Sequence, residues 1–334
     1  MDRNYDGIDL MKFICAILIV LLHAVETNDI FWVGIQYVTT RFAVPFFFIA
    51  SGFLYSQNMR REGYTKRYLK RNMFLFILWG VCIYGPILCH DYIVEYRGRN
   101  PLLILVVLLR RMFIIGPAQY WYFVALIFSV IILKKIAFSR HASIYLTVIL
   151  LACFGMNISF SYFAKGTEYP LWVKMISLLY SGSNNFLLTG IPFVGLGILI
   201  GKRKEELFGR RGYLILFILA TIFSIGEYYI FCRYGLWISV AFIFQGTFIF
   251  LFAGSIPSVS GHGKKLRNCS TVVFLTHWII LYNVLNPIMK RVGMNPYYPN
   301  YIPIKVVATV CLSVGAYYVI SRLNSKAVRR CFGM

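Results

Sequence analysis

Long apolar stretches recur along the whole chain, and they restrict its fold more than any other feature. Each holds roughly 17 to 25 mostly apolar residues, enough for an α-helix to cross a bilayer core of about 30 Å. The chain is 59% hydrophobic and only 14% charged, with a mean hydropathy of +0.69. A helix pairs all its backbone polar groups internally, as lipid requires. The sequence therefore predicts an all-α, polytopic integral membrane helix bundle that forms a single domain over residues 1–334.

The apolar stretches predict about ten transmembrane helices. Their expected positions are 8–27, 34–57, 72–89, 117–134, 143–162, 185–201, 212–232, 236–255, 269–289 and 302–321. Residues 101–116 are also apolar, but Arg110 and Arg111 interrupt them, so this segment is predicted to be an interfacial or re-entrant helix. The first span has no basic segment before it and no cleavage site after it, so it is expected to be retained.

The positive charge of the chain is concentrated in alternate connections between spans. The formal net charge is +22, and the basic segments are 60–71, 134–140, 201–211, 261–268 and 321–330. With ten spans, all five lie on the side of the N-terminus, and the positive-inside rule places that side in the cytoplasm. This distribution favours a multi-pass protein of the cell membrane, a bacterial inner or plasma membrane, with both termini cytoplasmic. It argues against a nucleic-acid partner, which would need one continuous basic surface.

The cysteines indicate no metal or disulfide chemistry. Eight are scattered singly along the chain without a CxxC pair, and most lie within predicted spans. Zinc sites and disulfide frameworks need cysteines at closer or paired spacings. No metal site is therefore expected.

Two histidines, His23 and His277, lie within predicted spans, where a polar side chain needs a partner. Lys12 precedes His23 by eleven residues, which on a helix places both on nearly the same face, about 16 Å apart. Asp9 precedes Lys12 by three residues, and Glu26 follows His23 by three, spacings that bring side chains together on a helix surface. The first span is thus expected to carry a polar stripe, with a charge pair at its inner end and an acid–histidine pair at its outer end. On position alone, Asp9 and Lys12 could equally reach the headgroups and His23 could bond a neighbouring helix.

Further polar candidates lie in other spans. Arg41 is expected to approach the level of His23 and Glu26, because an unpaired arginine inside a membrane is costly. Pro45 is expected to kink the second span. Ser51 could contact substrate, or with its neighbouring glycine it could simply allow close helix approach. Glu227 could line the same cavity as Gln245, or it could face the membrane interface.

Five segments together resemble successive signatures of the acyltransferase-3 membrane family and occur in that family's order. They are "DLMKFICAILIVLLH" (9–23), "VPFFFIASGFLY" (44–55), "YWYFVALI" (120–127), "GIPFVGLGILIGK" (190–202) and "STVVFLTHWII" (270–280). The resemblance implies a ten-helix domain that takes an acyl group, commonly acetyl from cytoplasmic acetyl-CoA. It also implies a hydroxyl acceptor on an extracytoplasmic glycan or lipid-linked sugar, with membrane lipids as surroundings. The three glycines of "GIPFVGLGILIGK" that follow its proline are read as helix-packing residues rather than a phosphate loop.

The family signature in the first helix is an arginine, ten residues and then a histidine. His23 matches the histidine, and Lys12 occupies the arginine position, which keeps the charge but loses the planar two-pronged donor. The resemblance therefore implies His23 and Lys12 as catalytic residues, with His23 as the base that takes the proton of the acceptor hydroxyl. Asp9, Glu26, Arg41, Ser51, Glu227 and His277 are the predicted substrate-binding residues.

Two alternatives stay open at this point. The membrane half of the vancomycin-resistance serine racemases is also similar to this family, and it is associated with amino-acid uptake. A serine-like transporter would use the same polar groove as its substrate path. A purely structural membrane protein is disfavoured, because it has no need for so many ionisable groups at membrane depth.

Overall fold

A computed structural model describes residues 5–163, 170–180, 185–209, 212–231, 240–256, 262–323 and 325–334. Within these ranges every regular element is helical, which confirms the all-α fold class. The chain divides into two compact units. Unit 1 consists of the residues up to Ala50 and from Arg203 onward, and unit 2 is Ser51–Lys202. The single-domain organisation stays a prediction.

The described α-helices follow one another along both units. In chain order they are α1 (Asp6–Ala24), α2 (Ile30–Thr40), α3 (Ala43–Asn58), α4 (Tyr64–Leu75), α5 (Gly85–Glu95), α6 (Pro101–Leu109), α7 (Trp121–Phe138), α8 (Ala142–Phe163), α9 (Leu171–Tyr180), α10 (Ile191–Lys202), α11 (Lys204–Leu207), α12 (Tyr213–Ile230), α13 (Ala241–Ser255), α14 (Gly263–Trp278), α15 (Asn286–Arg291), α16 (Ile302–Arg322) and α17 (Lys326–Cys331). Short π-helical segments at Phe76–Ile83, Arg110–Ile115, Phe186–Gly190 and Ile279–Leu285 extend or join several of them.

Helix α1 is the central element of unit 1. It packs most extensively against α14 and also contacts α16, α13 and α2. Ala16 and Val20 of α1 are buried against Val272 and Val273 of α14 and against Tyr317 of α16. Small and β-branched residues at these positions let the helix axes approach closely, which is how helices associate where lipid weakens the hydrophobic drive. The close packing of α1 on α14 brings the polar residues of both helices into one region.

At the second predicted span, Asp29 determines where the helix begins and Pro45 determines where it bends. The Asp29 carboxylate accepts hydrogen bonds from the backbone N–H groups of Phe31 and Trp32, both at 3.1 Å, and so caps α2. Regular helix is interrupted at Arg41 between α2 and α3. Pro45 has no N–H to donate to the Arg41 carbonyl four residues earlier, so the interruption lies where the predicted kink belongs.

Unit 2 is built around α7, α8 and α10, which pack against one another. The second half of α3 approaches α10 so closely that a Cβ at Gly52 would collide with the Val194 carbonyl, and one at Gly201 would collide with the Ser56 hydroxyl. This confirms that Gly52 and Gly201 are helix-packing residues.

Within the described part of the chain, seven helices are long and apolar enough to cross a membrane. They are Asp6–Ala24, Ile30–Asn58, Ala118–Phe138, Ala142–Phe160, Tyr213–Ile230, Gly263–Arg291 and Pro299–Arg322. The pair Tyr64–Ile83 and Gly85–Glu95, bent by 44°, forms an eighth if it is one span. Two shorter apolar helices, Phe186–Lys202 and Ala241–Ser255, coincide with predicted spans, although residues 236–239 lie outside the described residues. The chain is thus a multi-pass membrane protein, and the count of ten and the sides of the termini stay predictions.

The outward surfaces of these helices are apolar, as a lipid environment requires. In α12, Ile215, Ile222 and Ile230 each leave about three fifths of their surface exposed. A soluble protein rarely exposes such continuous apolar surface. Helix α6 and the π segment after it cover the predicted interfacial or re-entrant helix and also expose several large apolar side chains. That interpretation stays a prediction.

Candidate active site

The two histidines predicted to lie within the membrane meet in unit 1. His23 lies in the last turn of α1, and His277 lies in the last turn of α14. Their imidazole rings are nearly parallel, with centroids 5.5 Å apart and an angle of 21° between the planes. Since 253 residues separate the two in the chain, the pair exists only because α1 packs along α14.

His277 is fully buried, and its hydrogen bonding fixes its tautomer. Its Nδ1 lies 3.0 Å from the Val273 carbonyl oxygen, which can only accept, so Nδ1 carries the proton. In the neutral ring Nε2 then has a lone pair, and no described residue donates a hydrogen bond to it. His277 therefore presents the flat face of its ring to His23.

His23 is half-buried, and its ring lies between two aromatic partners. His277 stacks on it, and the Trp278 ring meets it edge-on with centroids 4.8 Å apart. The Tyr282 hydroxyl donates to the His23 backbone carbonyl at 2.8 Å. Within the described part of the chain, no hydrogen bond involves the ring nitrogens of His23. The ring is thus held in place while its nitrogens stay available to a substrate proton.

The inner end of α1 carries the predicted charge pair, with an additional partner. The Lys12 ammonium lies 3.7 Å from the buried Asp9 carboxylate, which confirms the pairing expected from their spacing. Arg267 of α14 contacts the same carboxylate at 3.6 Å. Because α1 is uninterrupted from Asp6 to Ala24, Lys12 and His23 lie about 20° apart around one helix and roughly 16 Å apart along it.

Glu26 is not part of α1, so its predicted placement beside His23 on one helix surface is wrong. The helix ends at Ala24, and Val25 has extended backbone angles that turn the chain away. The Glu26 carboxylate instead accepts a hydrogen bond from the Lys305 ammonium of α16 at 3.0 Å. Asn286 lies 3.5 Å from the same carboxylate oxygen. Lys305 is completely buried and also donates to the Pro296 carbonyl at 3.1 Å.

The other predicted substrate-binding residues have separate surroundings. The Arg41 guanidinium lies over the Tyr37 ring, 4.3 Å from its centroid, and its pairing with His23 or Glu26 stays a prediction. In unit 2, the Ser51 hydroxyl is 2.7 Å from the Tyr122 hydroxyl. Neither observation tests a substrate contact.

Glu227 has the contacts of a helix cap. Its buried carboxylate accepts hydrogen bonds from the backbone N–H groups of Val240 and Ala241, at 2.7 Å and about 3.1 Å, at the start of α13. An acidic group at a helix N-terminus satisfies unpaired donors and complements the helix dipole. Gln245 of α13 donates to the Val38 carbonyl and to the Thr221 hydroxyl. A substrate role for Glu227 stays a prediction.

Four residues of this region were not singled out from the sequence, namely Arg267, Trp278, Asn286 and Lys305. Lys305 carried a usable signal, since it is a charged residue inside the predicted span 302–321. Trp278 directly follows His277 in a family signature. Arg267 and Asn286 had no signal of their own, because their roles depend on which helices pack together. Among the described residues, no group of three or more His, Cys, Asp or Glu side chains comes together as a metal site.

Comparison with known protein families assigns the chain to one of them. The acyltransferase-3 family, described as an acyltransferase domain, matches residues 5–319, nearly the whole sequence. No curated protein and no solved structure matches the chain. The match includes α1, α14 and the part of α16 that carries Lys305. The chain therefore belongs to the acyltransferase-3 family and is a membrane acyltransferase.

Proposed function

We propose that the protein transfers an acetyl group from cytoplasmic acetyl-CoA to a hydroxyl of an extracytoplasmic glycan or lipid-linked sugar, with His23 as the base. The observation that carries this proposal is the His23 ring, held between His277 and Trp278 with both nitrogens unbonded to described residues. A base must be fixed in position and still be free to accept a proton, and His23 meets both conditions.

The proposed reaction needs one base and one anionic donor. The acceptor hydroxyl oxygen attacks the thioester carbonyl carbon while His23 takes the hydroxyl proton. The carbon–sulfur bond then breaks, an ester forms, and the His23 imidazolium returns the proton to the departing CoA thiolate. Histidine suits both steps because one ring nitrogen can accept the hydroxyl proton and then give it up. His277 acts here as a positioning residue whose stacked ring orients His23.

The acyl donor, acetyl-CoA, is proposed to bind at the inner end of α1. Lys12 and Arg267 both contact the Asp9 carboxylate at distances longer than a short hydrogen bond. Both side chains carry a positive charge. The phosphates of an acyl-CoA are suitable further partners. The basic segment 60–71 would attract the same anionic donor, although membrane topology alone also accounts for its charge.

The proposed sidedness rests on the basic segments. Ten spans with both termini cytoplasmic, in the cell membrane, would put the donor at the Lys12 end of α1 and the acceptor at the His23 end. Reporters fused after residues 65 and 206 should then be cytoplasmic, and one inserted near residue 166 should be outside. A cytoplasmic reporter at 166 would contradict this topology.

A direct assay tests the proposed activity. Purified protein in proteoliposomes would be incubated with radiolabelled acetyl-CoA and a membrane extract that supplies glycans and lipid-linked sugars. We expect label in the saccharide fraction and release of free CoA, both dependent on the protein. Serine uptake by the same vesicles without acetyl-CoA turnover would contradict the proposal. No observation on the described residues and no comparison favours an amino-acid transporter.

A further inference from the structure

We infer that Glu26, Asn286 and Lys305 form a subsite for a neutral ligand carrying several hydroxyl groups. This inference rests on the proposed function, because the ligand would be the acceptor whose hydroxyl His23 deprotonates. It adds the residues that bind and select the acceptor. The three side chains come from three separate segments of unit 1: the connection after α1, the start of α15 and the first turn of α16.

Lys305 fixes the subsite without contacting a ligand. Its ammonium is fully buried and donates to the Glu26 carboxylate and to the Pro296 carbonyl. A lysine near a helix N-terminus is disfavoured by the helix dipole and by burial, so it needs the carboxylate beside it. The ion pair thereby holds Glu26 in one orientation.

Glu26 presents one carboxylate oxygen that is not used by the protein. Its Oε2 faces both Lys305 and the Asn286 amide, whereas no described residue bonds Oε1. A quarter of the Glu26 side chain is exposed, so Oε1 has an approach from outside. An ionised carboxylate oxygen can only accept hydrogen bonds, and its partner must therefore be a donor.

Asn286 supplies a second acceptor that lacks a partner. The residue is 95% buried, and its Oδ1 makes no hydrogen bond with the described residues. Buried polar atoms are nearly always paired, so an unpaired amide oxygen next to an available carboxylate oxygen points to an external donor. Asn286 follows a π-helical segment, a local distortion that is often found at functional sites.

The charges around Glu26 and Asn286 determine which chemical class of hydrogen-bond donor can bind there. Lys305 already neutralises the Glu26 carboxylate, so a cationic ligand would gain little from it. Two adjacent acceptor oxygens would repel an anion. Uncharged hydroxyl groups can donate hydrogen bonds to both oxygens without a charge to be neutralised or repelled. Two acceptor oxygens therefore favour a ligand with at least two hydroxyl groups.

The position of the subsite suits an acceptor that reacts at His23. Tyr282 donates to the His23 backbone carbonyl at 2.8 Å, and Asn286 follows Tyr282 by four residues in the continuous helical run from Ile279 to Arg291. One helical segment therefore contacts the His23 backbone and carries one of the two acceptors. A hydroxylated ring bound at Glu26 and Asn286 would lie next to the proposed base.

The test compares two double variants that both lack the ion pair. In E26Q/K305M the side chain at position 26 keeps an acceptor oxygen, and in E26M/K305M it has none. Saturation-transfer NMR would measure the binding of methyl β-D-glucopyranoside, with cyclohexylmethanol as a probe that has a single hydroxyl. We expect a glucoside signal from the wild type and from E26Q/K305M, and at least a tenfold loss of affinity in E26M/K305M. The cyclohexylmethanol signal should stay within twofold in all three proteins.

The possible results separate this inference from the proposed function. Absence of glucoside binding to the wild type, or equal binding by both double variants, would overturn the subsite. Asn286→Leu in the wild-type background should also weaken glucoside binding, and unchanged binding would count against its role. Binding is measured without acetyl-CoA, so a protein that binds the glucoside yet turns over no acetyl-CoA would support the subsite and refute the acetyltransferase proposal.

Discussion

Removal of one partner from the Glu26–Lys305 pair should destabilise the protein more than removal of both. The ammonium and carboxylate are 3.0 Å apart, and Lys305 is fully buried. At an effective dielectric constant of about 20, two unit charges at that distance attract by about 5.5 kcal/mol. Most of this attraction offsets the cost of removing the charges from water, so the pair contributes far less in net terms.

The two single variants should lower the free energy of unfolding by different amounts. Glu26→Gln leaves the Lys305 charge buried without a countercharge, with only neutral acceptors such as the Pro296 carbonyl, and we expect a loss of about 3–5 kcal/mol in the free energy of unfolding. Lys305→Met leaves a carboxylate that is a quarter exposed and can be hydrated, so the loss should be smaller, about 1–3 kcal/mol. The double variant E26Q/K305M should lose about 1 kcal/mol or less, because no buried charge remains.

Titration with SDS of the purified variants would measure these free energies. The pair Lys204 and Glu205, 3.8 Å apart, gives a control because the Glu205 side chain is three quarters exposed and the Lys204 side chain a quarter exposed. The same substitutions there should cost less than about 1 kcal/mol. Additive effects at Glu26 and Lys305, with the double variant the least stable of the three, would refute the reasoning.

Three further predictions concern the active site and the packing of α3. His277→Phe keeps a ring against His23 and should hold transfer within about threefold of wild type, whereas His277→Ala should lower it about tenfold or more by releasing that ring. Lys12→Arg should retain near-normal transfer, and Lys12→Ala should raise the KM for acetyl-CoA, as steady-state kinetics would reveal. Gly52→Ala should cost about 1–3 kcal/mol of stability through its collision with Val194, while Gly155→Ala, where nothing is within 4 Å, should cost nothing.

The helices and the polar stripe of α1 could be predicted from the sequence because they depend on local pattern. The all-helical fold and the Lys12–Asp9 pair follow from apolar length and a three-residue spacing, both properties of a single helix. The stacking of His23 on His277 could not be predicted in the same way. It depends on the packing of α1 against α14, and no spacing in the sequence encodes that contact.

Glu26 shows where local reasoning failed although a signal was present. The segment "ETNDIFW" (26–32) contains Asp29 directly before an apolar run, the usual pattern of a helix N-cap. Helix α2 does begin at Ile30, four residues before the predicted second span. A second helix that starts so early requires the first to end before Glu26, which removes the helical spacing between Glu26 and His23. Lys305 was similarly visible as a charge within a span, but its partner could be found only from the packing of α16.

The most direct test of the account is the rate of acetyl transfer by His23→Ala, measured with radiolabelled acetyl-CoA. His90→Ala is the matched control, because His90 is largely exposed and lies in α5, outside the proposed site. We predict that His23→Ala inserts and folds like the wild type and that its kcat falls about 10²-fold or more, the usual scale for loss of a general base. His90→Ala should keep the wild-type rate. A well-folded His23→Ala protein that transfers acetyl groups at the wild-type rate would contradict the proposed mechanism.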